Sequence, residues 1–166
     1  MTELTPAQRA FLENPYIGVV TTLRPDGSPH STPLWVDVDD DGVSVNTAWP
    51  RAKPRYLAAD PRLSLVVVDP NDELRWLGIT GTATLVDEGA NDQIDRLARK
   101  YRGHERYRSH REGETRVSVR ISPTFIESRG LYVARTECTG GRFVAAVNHV
   151  LPASPDPKTS PDVAPK

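Results

Sequence analysis

Asn46-Thr47-Ala48-Trp49-Pro50-Arg51-Ala52-Lys53-Pro54-Arg55 carries the chain from an apolar strand pattern straight into the start of a short helix, with Arg51, Lys53 and Arg55 clustered at the join. The first backbone N–H groups of a helix have no partner inside it, and the aligned peptide dipoles put partial positive charge at the same point. A phosphate is a natural occupant of such a corner, and Lys53 and Arg51 add full charges to it. Pro54 suits a first helical turn, where its missing N–H is not needed. Asp60-Pro61 ends the helix. The other reading of these residues is a solvated basic turn, since Lys and Arg are ordinarily exposed.

Outward from this corner the chain reads as strands joined by tight turns. Ile17 to Leu23 is rich in β-branched residues and ends at Arg24-Pro25-Asp26-Gly27, which has hairpin-turn chemistry. The following strand, Pro29 to Val38, contains Pro33, which cannot donate to a ladder. Its presence predicts an edge, a bulge or a backbone facing something other than a strand. Asp39-Asp40-Asp41-Gly42 reads as a plain turn, because its acids lack the alternation, the sixth-position glycine and the distant glutamate of a calcium loop. Val43 to Ala48 is the strand that delivers the chain to the cationic corner. Beyond it, Leu63 to Val68 is almost continuously apolar, as expected of a strand covered on both faces. Leu74 to Val86 is a long strand in which Gly78 and Gly81 invite a bulge or a close backbone approach. Arg116 to Ile126 alternates charge with Val117, Val119 and Ile121, the pattern of a strand with one wet face, and Pro123 marks its irregular end.

Two further helices are encoded locally. Thr5-Pro6-Ala7-Gln8 is an N-cap, a first-turn proline and a capping-box glutamine, opening a helix from Pro6 to Glu13. Asn91 begins another, with Ile94, Leu97, Ala98 and Tyr101 on one face. Arg102 to Glu114 is dense in charge; His104 and His110 are six apart, which fits no single helical face, so this segment is expected to be a solvated loop rather than a metal site.

Size and charge exclude several functions. A chain of 166 residues supports one domain with a proper core. A formal charge of -1 and a pI near 6.4 give no wholesale basic surface for nucleic acid or anionic lipid. No apolar run approaches the ~20 residues of a membrane span, and Cys138 is alone, so a soluble, cytoplasmic protein without an intrachain disulfide is expected. The expected organisation is a domain over residues 1–130, an extension of uncertain structure over 131–151, and a disordered tail rich in proline and serine over 152–166. The fold class is mainly β (α+β): a small closed barrel of antiparallel strands with a few short helices. Such a barrel cannot enclose a large ligand, which places the site on its outer wall or at a subunit boundary.

Gly18-Val19-Val20-Thr21-Thr22, Pro25-Asp26-Gly27-Ser28-Pro29, Pro50-Arg51-Ala52-Lys53, Leu57, Asp60-Pro61-Arg62 and Gly81-Thr82-Ala83 together resemble the pyridoxamine-5'-phosphate-oxidase-like split β-barrel superfamily. More narrowly they resemble its deazaflavin-dependent oxidoreductases, which use coenzyme F420. The resemblance runs from about Phe11 to Ile126. It implies an FMN-binding-like split barrel, a homodimer with cofactor sites lined by both chains, and hydride transfer to a conjugated small-molecule substrate without a dedicated catalytic residue. The implied cofactor contacts are Arg51, Ala52 and Lys53 at the phosphate, Asn46 and Thr47 on the strand before them, and His30, Ser31, Thr32 and Pro33 beside the ring. Leu74, Arg75, Trp76, Leu77 and Gly78 come from the partner subunit, with Pro123 as a weaker match. Several of these residues have plainer roles open to them: Trp49 and Trp76 could fill a dimer core, Trp35 could be packing, His30 could be structural, and Arg75 could decorate the surface. FMN is the alternative cofactor, and a non-catalytic flavin, deazaflavin or haem binder is the alternative function.

Overall fold

A computed structural model describes residues 2–131; the expectations for 131–151 beyond Leu131 and for 152–166 fall outside the described residues. The elements are α1 (Pro6–Glu13), β1 (Gly18–Leu23), β2 (Pro29–Leu34), β3 (Val36–Asp39), β4 (Gly42–Trp49), α2 (Ala52–Ala59), β5 (Arg62–Asp69), β6 (Asp72–Val86), α3 (Ala90–Arg102) and β7 (Thr115–Arg129). α1 begins as its sequence dictates: Gln8 N–H donates to Thr5 Oγ1 at 3.3 Å while Thr5 N–H donates to Gln8 Oε1 at 2.9 Å. No helix among the described residues is long and apolar enough to cross a membrane.

The seven strands form one curled antiparallel sheet in the order β2-β1-β5-β6-β7-β4-β3. Its two edges, β2 and β3, are neighbours in the chain, separated only by Trp35, yet they do not pair. The barrel is therefore split rather than closed. The hairpin bond from Arg24 N–H to Ser28 O, at 2.9 Å, sets the ladder so that His30, Thr32 and Leu34 bond to β1. Pro29, Ser31 and Pro33 direct their backbone groups to the free edge, and the two prolines remove donors from it.

The concave face of the sheet is the core. Val20, Leu65, Val67, Leu77, Ile79, Val43, Val45, Val119 and Ile121 meet there, closed by Phe11 and Leu12 of α1 and Leu57 of α2. On the convex face α3 covers β3, β4 and β7. Lys100 holds α3 in place, its ammonium donating to Leu12 O at 2.6 Å and Val36 O at 2.7 Å, and burial lowers its pKa to about 8.

Three expectations change. The charged face of β7 is wet only in part: Arg120 stays exposed, whereas Arg116 and Ser118 are 4% and 7% exposed because α3 lies over them, and Gln93 of α3 links Ser44 and Ser118 through bonds of 2.7 and 2.6 Å. β5 is covered on its concave face only, for Val66 and Val68 are 42% and 41% exposed, beside Val19 at 42% and Ile17 at 49%. Pro123 does not end β7 but sits opposite Gly81, where the β6–β7 register shifts.

At Gly81 the two backbones approach so closely that an added Cβ would stand 2.3 Å from Ser122 O. The obstacle is main chain in the middle of a ladder and cannot swing aside. Gly81→Ala is accordingly expected to cost about 1–3 kcal/mol, the range for overpacking, measured as a lower urea midpoint at unchanged slope.

Candidate cofactor site

β4 delivers the chain to α2 through Pro50 and Arg51, and Arg51, the N-cap residue, makes no side-chain bond to the free N–H groups of the first turn. Lys53 lies in that turn and is half-buried. Its ammonium donates to Thr32 Oγ1 at 2.5 Å, and no carboxylate pairs with it among the described residues. Burial, and then the nearby charge of Arg51, lower its pKa. His30 packs its ring edgewise on Tyr56 at 5.4 Å, and its Nδ1 is buried without a partner among the described residues. Burial first, then Arg24 and Lys53, lower the pKa of His30, so the neutral imidazole is favoured. Thr47, 2% exposed on the core face of β4, also has a buried hydroxyl with no partner among the described residues. A positive corner with an uncompensated ammonium and orphaned polar atoms fits an anionic group such as a phosphate.

Arg51 behaves differently from Lys53. Its Nε and Nη2 donate to Glu114 Oε1 and Oε2 at 2.6 and 2.7 Å, and this contact, ahead of the neighbouring arginines, lowers the Glu114 pKa. The 103–114 segment is thus not simply solvated. Tyr107 N–H donates to Asp95 Oδ1 at 2.8 Å, and the Tyr107 ring meets Trp35 edge-on at 5.9 Å and lies 4.4 Å from the Arg116 guanidinium carbon. Trp35 also stacks on Tyr101 at 5.3 Å, a packing role. Glu114, Tyr107 and Arg116 were not among the sequence-predicted site residues; the local pattern of charges carries no sign of their pairing.

The remaining predicted residues separate by strand face. His30 and Thr32 point to the side of Lys53, whereas Ser31 and Pro33 are exposed on the opposite face, where the Ser31 hydroxyl meets that of Thr21 at 2.8 Å. Asn46 faces α3, its amide donating to Ala90 O at 2.8 Å and Gln93 Oε1 at 3.0 Å. On β6, Leu74 is 52% exposed, Trp76 pairs with Val68, and Gly78 packs against the Glu127 side chain. Arg75 is engaged by Asp69 at 2.8 Å rather than decorating the surface freely. Leu77 is 1% exposed in the core, so any ligand contact it makes goes through its backbone. No hydrogen bond or ion pair among the described residues joins Leu74–Gly78 to Lys53 within one chain.

A split antiparallel sheet with a cationic strand-to-helix corner defines a recognisable class. The chain belongs to the pyridoxamine 5'-phosphate oxidase family, whose profile matches residues 4–129. It is 29% identical over 121 residues, 72% of this chain and 84% of the other, to the F420H(2)-dependent biliverdin reductase of Mycobacterium tuberculosis (strain CDC 1551 / Oshkosh). Among solved structures, an F420 reductase superposes with a TM-score of 0.65 at 24% identity, covering 75% of this chain and 98% of that one. A conserved hypothetical protein from Mycobacterium tuberculosis gives a TM-score of 0.60 at 24% identity, with 78% and 89% covered. At these identities the structural likeness concerns the fold.

Proposed function

We propose that this protein is a soluble, cytoplasmic, homodimeric reductase that uses reduced coenzyme F420 to reduce a conjugated small molecule. The observation that carries the reading is Lys53: a half-buried ammonium at a helix start, with only a hydroxyl for a partner among the described residues. The relative named F420H(2)-dependent supports the choice of cofactor. When bound, that cofactor supplies a hydride from its reduced ring.

The chain's own residues then have four tasks. Lys53 and the first N–H groups of α2 hold the phosphate, and Thr32 fixes the ammonium in position. The free edge of β2 offers Ser31 N–H and the carbonyls of Ser31 and Pro33 to polar atoms of the ring. Leu74, which is exposed, and Trp76, which is half-buried, on β6 of a second copy close the site and exclude water, with Gly78 buried beside them. His30, held neutral, adds no competing positive charge beside Lys53.

FMN is the second reading, because the same phosphate corner and the family match suit it equally. Anaerobic titration with oxidised F420 and with FMN, followed by turnover of reduced F420 with biliverdin and a panel of enones, separates the two. Saturable F420 binding with turnover is expected. Tight FMN binding together with no F420 association would overturn the F420 assignment.

A further inference from the structure

On the opposite side of β4 from Thr47 lies a cleft of about 160 Å³ whose polar lining is Asn46, Arg51 and Arg116, with Trp35, Tyr107 and aliphatic side chains of α3 as walls. Arg116 is 4% exposed, yet its Nε and Nη2 have no hydrogen-bond partner among the described residues. Among the described residues the acid that pairs with it, Glu114 Oε2, stands 3.8 Å from Nη2 and is already held by Arg51. Asn46 Oδ1 is likewise buried, with no partner among the described residues. Leaving a buried guanidinium without acceptors is costly, and the Tyr107 ring satisfies its charge only from one face.

Among the described residues, Arg51 and Arg116 against Glu114 leave one positive charge uncompensated in this cleft. A single monoanion restores the balance. The planar guanidinium fork matches a carboxylate better than a spherical ion. The cleft holds about five waters at roughly 30 Å³ each. The cleft is open to solvent, so an acid group with a short carbon stub fits within it while the rest of a larger ligand stays outside.

We infer that this cleft is a carboxylate subsite, anchored by Arg116, for one short monoanionic acid group, either a free acid or the acid arm of a larger ligand. The inference rests on Arg116 and its surroundings and is independent of which cofactor occupies the Lys53 corner. Sodium propionate is the probe, with propionamide as its neutral counterpart, and tryptophan fluorescence as the signal from Trp35. Saturable binding of propionate but not propionamide is expected, weakened at least tenfold in Arg116→Gln and unchanged in Lys53→Ala. Equal responses to acid and amide, or undiminished binding in Arg116→Gln, would overturn the assignment. Should Arg116→Gln fail to fold, thermal unfolding of the wild-type protein decides, since only a ligand of the native state raises its midpoint: protection by propionate alone supports the subsite, and no protection, or equal protection by the amide, removes it. Competition then identifies the source. Displacement of propionate by biliverdin but not by its dimethyl ester assigns the subsite to the acid arm of a larger ligand; displacement by neither assigns it to a free acid.

Discussion

Lys53→Ala is expected to raise the dissociation constant for the phosphorylated cofactor about ten- to a hundredfold, while the thermal midpoint of the free protein stays put or rises. The magnitude follows from a charge-assisted hydrogen bond of about 1.5–3 kcal/mol, at 1.4 kcal/mol per tenfold. The neutral effect on folding follows from what Lys53 touches. Its only hydrogen bond among the described residues is to the Thr32 hydroxyl, and burial already disfavours its charge. Removing it relieves that burden and leaves a hydroxyl that water can reach. Titration of wild type and variant under argon, monitored by cofactor fluorescence, measures the difference. An unchanged constant would remove Lys53 from the site. Arg51→Ala provides the contrast: its guanidinium is committed to Glu114, so its loss frees a carboxylate near Arg116 and perturbs the 103–114 segment as well as any ligand.

What the sequence revealed, and what it hid, divides by range. The Thr5–Gln8 capping box, the turn at Gly27 and the cationic start of α2 depend on residues within a few positions of one another, and each forms where it was read. Gly81 announced a close approach through its missing side chain, and Ser122 O supplies it. By contrast, Arg51 and Glu114 are separated by 63 positions, and nothing local couples a cation after one strand to an acid before another. The alternation in β7 separates two faces but does not say where along the strand the charged one is covered. Arg116 and Ser118 are buried because α3, placed by the fold, lies on them and Gln93 reaches into their midst. The division of His30 and Thr32 from Ser31 and Pro33 was implicit in the two-residue period of a strand; the resemblance to a family grouped them as one stretch.

The apolar run Leu63 to Val68 presents the reverse case: its pattern predicts a strand covered on both faces, and a single chain covers only one. Val66 lies between Val19 and Gly78 in the sheet, and Val68 lies beside Trp76, so the uncovered convex face is a continuous apolar patch rather than scattered residues. Single exposed apolar side chains are normal, whereas a contiguous patch marks an interaction surface. A second copy of the same face would make β5 dry on both sides. Val66→Glu tests this directly. Val66 is 42% exposed in the single chain, so a carboxylate there meets water and leaves the concave core untouched. In a dimer the same carboxylate is buried without a partner, which costs several kcal/mol per copy and weakens association by more than a thousandfold. Sedimentation velocity is expected to give twice the 18.4 kDa chain mass for the wild type and 18.4 kDa for the variant. Cofactor affinity should fall with the dimer, although residue 66 carries no predicted ligand contact. A wild-type protein that sediments as a single chain, or a variant that remains dimeric, would show that this face serves another purpose, and Leu74–Gly78 would then lose their place in the site.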